Sequence, residues 1–157
     1  MPHKKRASGY PQGKSVARKD ENRKPEMAIN LKWPTSEAAW LGFVRTTGLL
    51  PEVAARALYL AWWVKELGGV TLELNSAYRS QTYQLELQRR WDRGDRIGLT
   101  SRPATSSLHS SGRAFDVGIV GPDPPPAVWE AIGRVGEALD LRWGGRFADP
   151  DPVHFDH

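Results

Sequence analysis

Two short segments of the chain hold residues suited to a single metal ion. His109-Ser110-Ser111-Gly112-Arg113-Ala114-Phe115-Asp116 brings a histidine and a carboxylate to either side of a glycine. Asp151-Pro152-Val153-His154, near the end, brings another of each. A catalytic metal needs three protein ligands of nitrogen or oxygen type, a fourth position for water, and a base to take that water's proton. The two segments supply this inventory with one carboxylate to spare. The chain has no cysteine, so disulfides and thiolate ligands are excluded and a metal must be held by His, Asp and Glu. That donor set suits zinc.

Each of these residues also has an ordinary use. His109 can be a loop histidine. Asp116 can pair with Arg113 or cap a turn. A carboxylate among Ala114, Phe115 and Val117 is nevertheless costly without a strong partner, which favours a metal. Asp151 can cap the turn before Pro152, and Arg79 can form a surface ion pair. Asp149, Asp156 and His157 lie close by as substitutes. In an extended segment His154 and Asp156 point to one face while Phe155 and His157 point to the other. His157 is the last residue and prone to fray, so His154 is the preferred ligand.

The elements that must position these side chains can be read from pattern. Thr35 or Ser36 can cap a helix over Glu37 to Val44, with Trp40, Leu41 and Val44 on one side and Gly48 after it. Pro51 starts a second helix that reaches about Leu67 and stops at Gly68-Gly69. Its apolar residues (Val53, Ala54, Ala57, Leu58, Leu60, Ala61, Trp62 and Val64) form a stripe too broad for a surface helix, so it is read as central and largely buried. Val70, Leu72 and Leu74 alternate as in a strand. A third helix is expected from about Gln81 to Arg93. Gly94 to Ser107 reads as a loop, and at that length as a functional or mobile one. Ala114 to Val120 is a second strand, Ala127 to Leu139 a fourth helix after a proline-rich turn, and Leu141 to Phe147 and Val153 to Phe155 short strands. Helices precede and interrupt the strands without βαβ alternation. The expected class is therefore α+β, with a small antiparallel sheet and flanking helices.

At this point the residues resemble a known family. Ser107-Leu108-His109-Ser110-Ser111-Gly112-Arg113-Ala114-Phe115-Asp116 is similar to the S-x-H-x-x-G-x-A-x-D motif of the M15 zinc peptidases. Those enzymes include D-Ala-D-Ala carboxypeptidases and phage endolysins that cut between L-Ala and D-Glu. Ser76-Ala77-Tyr78-Arg79-Ser80, with Gln84 after it, resembles the family's S-x-Y-R-S-x-x-x-Q segment. Trp143-Gly144-Gly145 and Asp151-Pro152-Val153-His154-Phe155 resemble the closing motifs of the endolysin-like branch. The resemblance spans about residues 76 to 156, with the motifs in the family's order.

Carried over by motif, it implies Zn²⁺ held by His109, Asp116 and His154. It implies Asp151 as general base and Arg79 as the residue facing the scissile carbonyl. Ser107 and Gln84 match positions that line the substrate site. The implied activity is hydrolysis of peptidoglycan stem peptides by an L-alanyl-D-glutamate endopeptidase, with a D-alanyl-D-alanine carboxypeptidase as the alternative. A reading of another class is a non-catalytic peptidoglycan-binding or virion structural module on the same fold. Trp143-Gly144-Gly145 admits a tight turn packed on the tryptophan or close backbone approach to a substrate. Arg89, Arg90, Arg93 and Arg96, interleaved with Glu86, Asp92 and Asp95, read as a solvated helix end rather than a nucleic-acid patch.

The 157 residues divide unevenly in charge. Residues 1 to 25 hold eight Lys and Arg against Asp20 and Glu21, a net +6, while the remainder is at −2. Residues 1–30 are accordingly expected to be a basic, disordered tail, and 31–157 a peptidase domain that works as a monomer. No apolar run is long enough for a membrane span or for the core of a signal peptide. The expected route is synthesis in the cytoplasm and action at the cell wall, after release from a phage-infected host. The tail would then tether the enzyme to anionic wall polymer. Deleting residues 1 to 25 should weaken binding to sacculi in a salt-sensitive way and spare cleavage of a soluble muropeptide. Pull-down at low and high salt measures this, and unchanged binding at low salt rules the tether out.

Overall fold

A computed structural model describes residues 28–97, 99 and 102–157. The basic tail expected from the sequence lies outside these residues, except for Ala28 to Asn30. Pro51 opens helix α2 (Pro51–Gly68), where its missing N–H costs nothing. Gly69, at φ 68°, closes the helix by donating its N–H to the Lys65 carbonyl. Val53, Ala54, Ala57, Leu58, Leu60, Ala61 and Val64 are buried, so the helix is central as its stripe predicts. Trp62 departs from that expectation. It is 41% exposed, and its neighbours Tyr59 and Trp63 are also partly open to solvent. The buried side of the helix packs on α1 (Glu37–Thr47), α4 (Pro126–Ala138) and the sheet, and Trp62 lies at its rim, beside Asn30, Leu31 and Leu72. In α1, Ser36 accepts from the Ala39 N–H and Gly48 closes the helix, whereas Leu41 is half exposed rather than part of the core.

The sheet contains β1 (Ile29–Asn30), β2 (Leu72–Ser76), β3 (Ala114–Ile119), β4 (Arg142–Trp143) and β5 (His154–Asp156). Its order is β1-β2-β3-β5-β4, and every neighbouring pair is antiparallel. With four helices beside it, the fold is α+β, in agreement with the sequence pattern. β3 is central, and Ala114, Phe115, Asp116 and Val117 are all buried. That explains its unbroken apolar run around one acidic residue. Helix α3 (Gln81–Asp92) starts at a Ser80 cap that accepts from the Tyr83 N–H.

The register decides what lies beside what. Ser76 pairs with Asp116, and Asp116 with His154, so three polar residues line up across three strands. A bulge between Leu74 and Ser76 shifts β2 just before this row. One residue along, Phe115 pairs with Phe155, and their rings stack 5.7 Å apart. Because alternate residues face opposite sides, the Phe pair enters the core and the Asp–His pair faces the site.

Helix α4 reaches the sheet through glycine. A Cβ at Gly136 would collide with the Phe155 ring, and one at Gly133 with Trp143. Both aromatics lie flat where larger helix residues would push them away. Gly136→Ala should therefore destabilise the protein by about 1–3 kcal/mol through overpacking. Urea denaturation measures the loss, and an unchanged midpoint would show that Phe155 yields freely.

Candidate metal centre

His109 lies in a single 3-10 turn, Leu108–Ser111. The Ser107 hydroxyl accepts from its backbone N–H at 3.3 Å, and Gly112, at φ 70°, ends the turn. Gly112 must be glycine for a second reason: a Cβ there would fall 2.6 Å from the Gly48 carbonyl oxygen. Backbone bonds lace this turn to its surroundings. Leu50 N–H donates to the Gly112 carbonyl, Arg79 N–H to that of His109, and Tyr78 N–H to that of Thr47. The turn is thus tied both to the α1–α2 junction and to the segment after β2.

The Ala77 carbonyl accepts from His109 Nδ1 at 2.6 Å, which places the ring proton there. Nε2 is then the free lone pair. It is buried, has no hydrogen-bond partner, and lies 3.3 Å from Asp116 Oδ1. Two acceptors this close repel unless a cation sits between them. His154 Nδ1 is 3.0 Å from the same Asp116 oxygen. One ligand atom from each of His109, Asp116 and His154 falls within 4.8 Å of the others. This donor set of two imidazole nitrogens and one carboxylate fits a divalent metal with an open fourth position.

The electrostatics fit the same use. Burial would raise the pKa of Asp116. Its close approach to the two imidazoles, the hydrogen bond to His154 and the charge of Arg79 outweigh it and hold Asp116 well below the usual carboxylate range. Arg79 Nη2 reaches Asp116 Oδ2 at 2.7 Å, and Arg79 Nε donates to Ser76 Oγ at 2.9 Å. Burial opposes the charge of His154, but hydrogen bonds to Asp116 and Asp156 and the charges of Asp116 and Asp151 prevail. Its pKa rises from 6.5 to about 9.

The other sequence-predicted residues are placed as follows. Asp151 is half-buried outside the ligand cluster, on a turn where its N–H meets the Gly144 carbonyl and its carbonyl meets the His154 N–H. Gly144 permits that turn, because a Cβ there would collide with the Asp151 carbonyl. Trp143 Nε1 donates to the Pro152 carbonyl at 2.8 Å. Trp143-Gly144-Gly145 is thus a tight turn packed on its tryptophan. His157 bonds to the Asp140 and Arg113 carbonyls, so His154, not His157, joins the cluster. Asp116 pairs with Arg79, and Arg113 is not among its cationic partners. Arg90 pairs with Asp95 and Arg93 with Glu86, and Arg96 covers Trp91, the solvated helix end that interleaved charges implied.

Gln84 is buried, and its Nε2 donates to the Ala104 carbonyl at 2.9 Å. It is one rung of a ladder that the sequence reading missed. Gln81 donates to the Thr105 carbonyl at 3.2 Å and Gln88 to that of Pro103 at 3.0 Å. Glutamines three and four apart share one helix face, which was the available signal. The ladder clips the end of the long loop to α3, just ahead of Ser107.

The chain is thus a small α+β domain with a His–Asp–His cluster that could hold a metal ion. Residues 100–157 match a family model of the M15 peptidases described as D-alanyl-D-alanine carboxypeptidase. Among solved structures, the fold is similar to the L-Ala D-Glu endopeptidase ChiX of Serratia marcescens. Identity is 18% and TM-score 0.53, over 74% of this chain and 84% of that one. It is also similar to DacB from Streptococcus pneumoniae, at 20% identity and TM-score 0.51, over 69% of this chain and 66% of that one. The search of curated proteins found no match. The matched segment contains His109, Asp116 and His154, and with the shared fold it bears out the resemblance to the M15 peptidases read from the motifs.

A metal ligand must be neutral imidazole, so binding must expel the proton that His154 holds below about pH 9. Apparent affinity for a divalent metal should rise by about tenfold per pH unit from 7 towards 9 and level off above. In the metal-free protein the sign is opposite. The raised pKa stabilises the fold fully below pH 6.5, and that contribution is lost as pH rises through about 9. Competition with a chelator across this range checks the first statement. An affinity flat from pH 7 to 9 would contradict it.

Proposed function

We propose that the chain is a zinc-dependent peptidase of peptidoglycan stem peptides, and specifically an L-alanyl-D-glutamate endopeptidase. The observation that carries the metal is the buried His109 Nε2, without a hydrogen-bond donor and facing the Asp116 carboxylate. When bound, zinc supplies Lewis-acid polarisation and lowers the pKa of a water to roughly 7. Asp151 stands near enough for its charge to act on His154, and it takes the attacking water's proton and passes it to the leaving amine. Arg79, its side chain 16% exposed, holds Asp116 ionised and presents its cationic edge to the carbonyl oxygen that gains charge. Ser107 and Gln84 shape the substrate groove through the turn and the loop they hold.

The endopeptidase choice rests on the closing motifs and is in keeping with the fold likeness to ChiX. The D-alanyl-D-alanine carboxypeptidase alternative is favoured by the family model's description. Mass spectrometry of fragments from purified peptidoglycan separates them. Free L-alanine termini on the glycan side mark the first, and loss of a single terminal D-alanine the second. Cleavage that survives a chelator would sink the metal reading. Asp151→Asn should keep zinc and lose about 10²–10⁴-fold in kcat. A wild-type protein that holds zinc but cuts no muropeptide is instead a non-catalytic module.

A further inference from the structure

Asp156 is 3% exposed, and the roles assigned so far leave it unused. Its Oδ2 lies 3.0 Å from His154 Nε2, the ring nitrogen turned away from the cluster. Arg142 grips the same carboxylate with two bonds, Nε to Oδ1 at 2.8 Å and Nη2 to Oδ2 at 2.9 Å. The sheet enforces the arrangement. Arg142 and Asp156 are register partners on β4 and β5, and Asp156 is two residues beyond His154 on the same face. Arg142 itself is mostly exposed and lies over the Phe147 ring at 5.1 Å.

We propose that Asp156, clamped by Arg142, is a positioning residue that fixes the tautomer and orientation of His154 and so tunes the site's affinity for a divalent metal. A carboxylate at Nε2 keeps the imidazole proton there and aims the Nδ1 lone pair at Asp116 and His109. It also pushes electron density into the ring, which strengthens the ligand. Arg142 has a separate task. A free carboxylate beside His154 would compete as a ligand or swing towards the metal. Two bonds from a guanidinium fork hold it beside His154 Nε2. The Ala77 carbonyl performs the matching service for His109, so both imidazoles are held from behind.

The inference rests on the metal-centre reading, though not on the bond that is cut. The test measures zinc affinity of the full chain by competition with a chromophoric chelator. Asp156→Ala should weaken zinc by about 10–100-fold. Asp156→Asn, which keeps an acceptor without the charge, should fall between this variant and wild type. Melting in excess chelator, recorded alongside, reports any purely structural loss. Should Asp156→Ala fail to fold, Arg142→Gln at the exposed end of the clamp gives the same reading, with an expected loss of several-fold. Unchanged zinc affinity in a folded Asp156 variant, or in Arg142→Gln, overturns the positioning role and leaves the metal centre intact. A wild-type protein that takes up no zinc overturns both.

Discussion

The pairing of β3 with β5 is the constraint on which the rest depends. One register puts Asp116 beside His154 on one face and Phe115 beside Phe155 on the other. Both rings are fully buried, Phe155 against α4, and a slip by one residue would move them out of the core onto the face that holds the polar site. Two Phe side chains contribute about 1.5–3 kcal/mol each by burial, so the core holds the register and the site inherits it. The ligand row is therefore set by hydrophobic packing on the far side of the sheet. Polar attraction alone would do this poorly, because buried ionic groups cost nearly as much as they return.

The site manages that cost by surrounding one carboxylate. Asp116 is bonded to Arg79 and His154 and faces His109, so its charge is spread over partners from three separate segments of the chain. Each partner is held from behind. Arg79 is tied to Ser76, His109 to the Ala77 carbonyl, and His154 to Asp156. Such an arrangement leaves little freedom for the donor atoms to drift. A metal ion asks for that rigidity, since its ligand atoms must be in place before it arrives.

Much of this was legible in the chain. Gly48, Pro51 and Gly69 mark helix ends through backbone rules that act locally, and the structure places the ends there. Leu72 and Leu74 alternate into the core as a strand of period two requires. The three residues that converge were named from motif resemblance and from the cost of an acidic residue in an apolar strand. Trp62 was misjudged because helix periodicity shows that a face is apolar, not whether another element covers it. The glutamine ladder escaped notice because an amide on a helix face looks like ordinary surface until the loop's carbonyls are seen opposite.

By itself, the sequence determined the donor inventory. With two suitable histidines, two carboxylates and no cysteine in the motifs, it excluded thiolate sites and pointed to water activation at a metal. It also determined the local elements, because caps, prolines and alternation act over a few residues. Only the tertiary structure decided which nitrogen of each histidine faces the cluster, that Arg79 rather than Arg113 meets Asp116, and that Asp156 stands behind His154. Those choices arise from strand register and from loops crossing between distant segments. The energy that selects them comes from packing the whole core, and no short stretch of sequence carries it.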